Sequence, residues 1–179
     1  MSDNSATLPS WDVRWPDPVA IQVAAARLMA AQAENSALNR ALGIHLHMEE
    51  GSFEDPYSTG ILVTPWAVER IFWINPPRRE PSLQSAMPLT IDDKGRVAPG
   101  QGVILQESSR RIGVLTAWEP ETGHYFVETL LPSTLPFRSC QEALQAALGA
   151  PAPQPPRQSL STQLETACSR RSLFGFLRS

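Results

Sequence analysis

The tightest constraint on this chain is the run Gly60-Ile61-Leu62-Val63-Thr64-Pro65-Trp66, followed at once by Ala67-Val68-Glu69-Arg70-Ile71-Phe72-Trp73-Ile74. Two apolar segments rich in β-branched and aromatic residues read as buried strands. The Thr-Pro-Trp break between them forces the chain to stop, turn and restart, because proline cannot donate to a sheet ladder. The turn therefore carries a large indole. An amphipathic ring at the end of a sheet serves equally as a hydrophobic plug over the core or as a recognition surface, and at this point both readings of Trp66 stand.

Signals on either side extend the pattern. Asp17-Pro18 is a helix start, with a carboxylate able to cap free amides and a proline at the first helical position. Ile21, Ala24, Ala25 and Leu28 follow at helical spacing, so the helix should run to Gln32 or Asn35 and lay its Ile21–Leu28 face on a sheet. Leu38 and Leu42 form a second apolar pair. Gly43 to Glu49 then alternates strictly, with Ile44, Leu46 and Met48 on one side and His45, His47 and Glu49 on the other, as a half-buried strand does. Further strand-like runs are 59–64, 71–74, 86–91, 102–107, 112–118 and 124–131, with turns at Asp92-Asp93-Lys94-Gly95 and Pro120-Glu121-Thr122-Gly123. Ser139-Cys140-Gln141-Glu142 is a capping box, Leu144 and Leu148 lie four apart, and Gly149 supplies a stop.

These signals predict an α+β fold in which an antiparallel meander of about five to seven strands is packed by an N-terminal and a C-terminal helix. The expected organisation is an arm over 1–15, the α+β domain over 16–149, a proline-rich linker over 150–158 and a flexible basic tail over 159–179. The 17 prolines among 179 residues, against 10 glycines, mark rigid breaks rather than low complexity. The segment Ala150-Pro151-Ala152-Pro153-Gln154-Pro155-Pro156 is the clearest of them, a polyproline-like spacer.

Charge is distributed unevenly. From Ala150 onward four arginines (157, 170, 171 and 178) face the single acid Glu165, a net charge of +3, so the preceding residues carry −6 of the overall −3. An acidic body argues against sequence-independent nucleic-acid binding, which needs a basic face to neutralise phosphates, and favours a cationic peptide as partner. Met1 to Ser10 has neither the basic nor the apolar region of a secretory signal, and no run approaches the length needed to cross a bilayer. A cytoplasmic protein with no membrane insertion is the expectation.

Chemistry is sparsely signalled. His45 and His47 project from one face of their strand, an arrangement that can supply two imidazole ligands to a metal. Flanking glycines and carboxylates do not fall at cupin spacing, and strict alternation already accounts for both as solvent-side residues. Cys140 and Cys168 have no CxxC spacing and read as free thiols. There is no Gly-x-Ser-x-Gly elbow and no phosphate-cradling glycine loop, and the carboxylate pairs Glu49-Glu50, Glu54-Asp55 and Asp92-Asp93 sit in or beside turns. The expectation is a protein without catalysis, metal or cofactor. A small metal- or ligand-binding domain using His45 and His47, or a scaffold subunit retained in a larger complex, remain the alternatives. In the tail, Ser169-Arg170-Arg171-Ser172-Leu173-Phe174 looks like the core of a twin-arginine export signal placed at the wrong end of a chain. A short amphipathic tail kept soluble by its arginines explains the same residues.

Taken in order, Gly60 to Trp66, the apolar run Ile71 to Ile74, the segment from His124 to Leu148 and the terminal Arg170-Arg171-Ser172-Leu173-Phe174 resemble the HybE family, accessory proteins for assembly of nickel-iron hydrogenases, some of them fused to or working beside a rubredoxin. The resemblance spans the chain from Pro18 to its C-terminus, and Val-Thr-Pro-Trp is its most specific element. It implies a cytoplasmic chaperone that holds a hydrogenase large or small subunit precursor, its twin-arginine signal peptide or both until the cofactor is inserted, with a rubredoxin-like protein as a further partner. Two departures stand out. The family pattern has a Cys near Val127 and Glu128 that this chain lacks, and the four cysteines of a rubredoxin are missing, so no iron is expected.

Combined with the residues themselves, the resemblance implies a partner site in which Thr64, Pro65 and Trp66, with Phe72 and Trp73 nearby, supply the anchor and Glu49 and Glu50 the steering charge. Arg170, Arg171 and Phe174 imitate the client and are expected to compete for the same site, tethered by the proline spacer at high effective concentration.

Overall fold

The computed structural model describes residues 9–32, 34–35, 37–52, 54–107 and 110–149. Helix α1 (Pro18–Ala31) begins where the Asp-Pro signal places it: the Asp17 carboxylate accepts from the Val19 and Ala20 amides, both at 3.0 Å. Seven strands follow, β1 (His45–Met48), β2 (Tyr57–Val63), β3 (Val68–Ile74), β4 (Leu83–Gln84), β5 (Gly102–Glu107), β6 (Arg110–Glu119) and β7 (Gly123–Leu131), and then helix α2 (Cys140–Gly149). At α2 the Ser139 hydroxyl accepts from the Glu142 amide, while the Glu142 carboxylate reaches back to the amide of Arg138 rather than of Ser139. The box is therefore closed one residue early, still satisfying two free donors.

All strand pairs are antiparallel, in the order β1-β2-β3-β7-β6-β5-β4. This is not one meander but two, β1-β2-β3 and β4-β5-β6-β7, joined where β3 pairs with β7. The strand expected over 86–91 does not form. Pro88 removes a ladder donor there, so the paired segment is the two-residue β4 upstream, and only Ile91 makes an isolated bridge, to Val97. A bulge between Val68 and Glu69 shifts the β3–β7 register by one.

Both faces of the sheet are covered, which is why β2 and β3 read as near-continuous apolar runs. On one face α1 buries Ile21 and Ala25 against Leu62, Ile71, Trp73, Tyr125 and Val127. On the other, Ala143 and Ala147 of α2 pack on Ile61, Val63 and Val68, and the N-terminal segment covers Phe72, Ile74, Val114 and Phe126 with Trp11 and Val13.

That N-terminal segment is pinned by polar contacts as well as aromatic ones. The Asp12 amide donates to Nδ1 of buried His124 at 2.7 Å, so the ring carries its proton on Nε2 and donates it to the Val97 carbonyl at 2.9 Å. Trp11 meets the same imidazole edge-on at 5.1 Å. The Asp12 carboxylate accepts from Arg14 and from the Trp118 indole, and the Arg96 guanidinium lies 4.0 Å from the centre of the Trp118 ring. Gly123, at φ 74°, supplies the turn into β7; a Cβ there would collide with the Asp12 carbonyl.

Candidate functional site

The Thr64-Pro65-Trp66 turn is an internal joint. Thr64 is fully buried, its hydroxyl donates to the Ala67 carbonyl at 2.9 Å and accepts from the Ala67 amide at 3.1 Å, and the Thr64 amide donates to the same carbonyl. The Pro65 carbonyl accepts from the amide of Asn39, whose side chain in turn donates to the carbonyls of Thr134 and Phe137. Trp66 is half-buried and packs on the α1 side, lining with Ile21, Leu28, Glu69 and Glu119 a cavity of about 20 Å³, room for about one water molecule. The ring caps the core.

Phe72 and Trp73 correct the expectation of an aromatic partner surface. Phe72 is 1% exposed and stacks edge-on with Tyr57, and Trp73 is 0% exposed within the cluster under α1. Withdrawing either ring from the core would cost about 2–3 kcal/mol, so neither meets a partner while the sheet is intact. Thr64 and Pro65, also buried, are corrected with them.

The acidic elements lie elsewhere. Glu49 and Asp55 flank the start of β2, whereas Thr64 follows its end, and a seven-residue strand separates the two by roughly 20 Å. Here residues 49–52 and 55–56, the start of β2, Glu107 at the end of β5 and Arg110 at the start of β6 border an open cleft of about 460 Å³, lined by Met48, Glu49, Glu50, Asp55, Tyr57, Glu107 and Arg110 among others. Beneath it, Arg70 of β3 pairs with Glu49 at 3.0 Å and with Glu128 of β7 at 3.3 Å. Burial raises the Glu128 carboxyl above the ordinary glutamate range, and Glu49 adds to this while the charges of Arg70 and Arg110 oppose it. Among the described residues neither Glu50 nor Glu107 has an ion-pair partner. With Glu49 committed to Arg70 and Asp55 holding the Ser52 amide, these two carboxylates are the cleft's available negative charge, set against the Arg110 guanidinium that lines it with them.

Arg70, Glu107, Arg110 and Glu128 were not singled out from the sequence. A usable signal exists for one pair: Glu69-Arg70 and Glu128 are charges set inside apolar strands, and buried charges need partners. The cleft itself joins three segments distant in the chain.

His45 and His47 are exposed on β1. No group of three or more His, Cys, Asp or Glu able to hold a metal occurs among the described residues. His124 has both ring nitrogens committed to backbone groups, leaving none to take a proton from a substrate. Cys140 is half-buried with its thiol donating to the Gly43 carbonyl. Arg170, Arg171 and Phe174 lie outside the described residues. No helix among the described residues is long and apolar enough to cross a membrane.

Comparison with protein-family models, curated proteins and solved structures gave no match to this chain.

Proposed function

We propose that this protein is a non-catalytic assembly chaperone that holds the precursor of a nickel-iron hydrogenase subunit, large or small, in the cytoplasm, engaging its twin-arginine signal segment before export. A rubredoxin-like accessory protein is a further partner in this reading. Its support is the ordered resemblance of Gly60–Trp66, Ile71–Ile74, His124–Leu148 and the terminal arginine segment to the HybE family. The single structural observation that carries it is the open cleft in which, among the described residues, Glu50 and Glu107 stand without ion-pair partners. A shallow acidic cleft suits a basic, extended polypeptide: charge steers the encounter and limits the choice of partner, and a precursor offers two consecutive arginines. The buried turn at Thr64–Trp66 then has a structural duty, and partner contact moves to the opposite end of β2.

The test is capture from cells of the native producer with the full-length tagged chain, the bound polypeptides being identified by mass together with their processing state. Wild type should retain a hydrogenase subunit precursor, and the double variant Glu50→Lys, Glu107→Lys should lose most of it with its melting temperature unchanged. Retention of the processed, signal-free subunit equally well, or of no hydrogenase polypeptide, overturns the proposal.

A further inference from the structure

Strand β1 is one outer edge of the sheet; among the described residues it pairs only with β2. The register from His45↔Val63 to Met48↔Gly60, continued by the bond from the Glu49 amide to the Thr59 carbonyl at 3.0 Å, turns the amides of His45, His47 and Glu49 toward β2. By the alternation of an antiparallel ladder, the N–H and C=O groups of Leu46 and Met48 face outward. The opposite edge is blunted, since β4 has two residues. His-Leu-His-Met of β1 contains no proline, lysine or bulge. His45, His47 and Met48 are exposed along it. The edge runs without a break into Glu49 and Glu50 and so into the cleft, which Met48 itself lines.

We infer that β1 is a docking edge, on which an extended basic segment of a partner polypeptide adds as an eighth strand, with its arginines meeting Glu50 and Glu107. The occupant is set by charge complementarity. The body of the chain carries −6, the cleft at the end of this edge has two carboxylates without ion-pair partners among the described residues, and a positively charged strand is what such an edge favours. Main-chain hydrogen bonds supply affinity that is tolerant of sequence, and alternate side chains supply selectivity. The inference rests on the chaperone reading above and specifies how its site works.

The two are separable with one probe, a fluorescein-labelled peptide containing Ser-Arg-Arg-x-Phe-Leu, titrated against the full-length protein. Met48→Pro deletes an outward donor without touching a β1–β2 bond and should weaken binding at least tenfold, well beyond the effect of Met48→Ala, which removes the side chain but keeps the donor. Because proline could disturb the strand, the second measurement leaves the protein unchanged. Peptides N-methylated at alternate residues should fall into two classes, one losing at least tenfold and the other nearly unaffected, since only every second amide of an added strand pairs. Equal binding by Met48→Pro and wild type, or equal behaviour of the two methylated series, overturns strand addition. If Glu50→Lys, Glu107→Lys still abolishes binding in that case, the cleft survives as the site. Failure of the wild-type protein to bind the peptide overturns both.

Discussion

At the scale of single residues, Arg70 and Trp66 decide what kind of interior this sheet has. Arg70 holds two carboxylates, Glu49 just after β1 and Glu128 on β7, with only 19% of its side chain exposed. Removing one member of a fully buried pair costs about 3–5 kcal/mol because the others are left uncompensated. With partial solvent access, Arg70→Ala should cost about 2 kcal/mol at pH 7. The sign of its pH dependence follows from Glu128, whose carboxyl is already raised by burial and rises further without the guanidinium. A raised carboxyl favours the fold below its unfolded value and loses that contribution as pH climbs through the folded one. The deficit of Arg70→Ala should therefore shrink as pH falls from 7 toward about 4.5, as urea melts at the two pH values would record. Trp66→Ala, by contrast, removes half-buried apolar surface from the α1 side. A loss of about 2 kcal/mol lowers the melting temperature of a chain this size by roughly 4–8 °C, with client capture unchanged. Weakened capture at an unchanged melting temperature would restore Trp66 as a contact residue.

At the scale of elements, most of the architecture was legible because its signals are local. Asp17-Pro18 and Ser139-x-x-Glu142 are read within one helical turn, and β5 begins and ends where its apolar run does. Less legible was whatever depended on pairing across the chain. Phe72 and Trp73 look like a surface in a strand beside a turn, yet helices and the N-terminal segment cover both faces of the sheet, so adjacent residues are both interior. Nor does any local pattern place Arg70 opposite Glu128, 58 residues later; the β3–β7 register does.

The N-terminal strap is the element with the clearest dependence on pH. Burial lowers the His124 pKa and Arg96 adds to this, while the Val97 carbonyl and the Asp12 charge oppose it. A base that is kept neutral in the fold contributes stability that is complete above its unfolded pKa of about 6.5 and is lost as pH falls through its folded value. The Asp12 carboxyl also faces the ring; burial works against its charge, but the Arg14 and Trp118 hydrogen bonds prevail and hold its pKa below the ordinary range, so it stays ionised across this window. Wild type should lose stability between pH 7.5 and 5.5. His124→Phe leaves the Asp12 amide and Val97 carbonyl unpaired, which should cost about 2–4 kcal/mol at pH 7.5 and flatten the slope. An unchanged slope in the variant would remove His124 as its source.

At the scale of the whole molecule, the distribution of charge sets an acidic body against its own basic C-terminal segment. The body ends at Gly149 on α2, and 30 residues follow, long enough to reach any part of its surface. The segment from Ser169 to Phe174 carries the same arginine pair that the proposed client presents. Joined through a proline-rich spacer, it would face the cleft at an effective concentration that a free client must outcompete. Deleting 159–179 should therefore tighten binding of the labelled Ser-Arg-Arg peptide, severalfold at low salt and less at high salt, where screening weakens the tether's charge. The Glu50→Lys, Glu107→Lys background should erase the difference, because tail and client would share those two carboxylates. Weaker binding after deletion assigns the tail to client contact instead, and an equal gain in the charge-reversed background separates its effect from the cleft. Self-competition of this kind would keep the acidic edge occupied until a precursor arrives, protecting an otherwise open strand from pairing with a second copy.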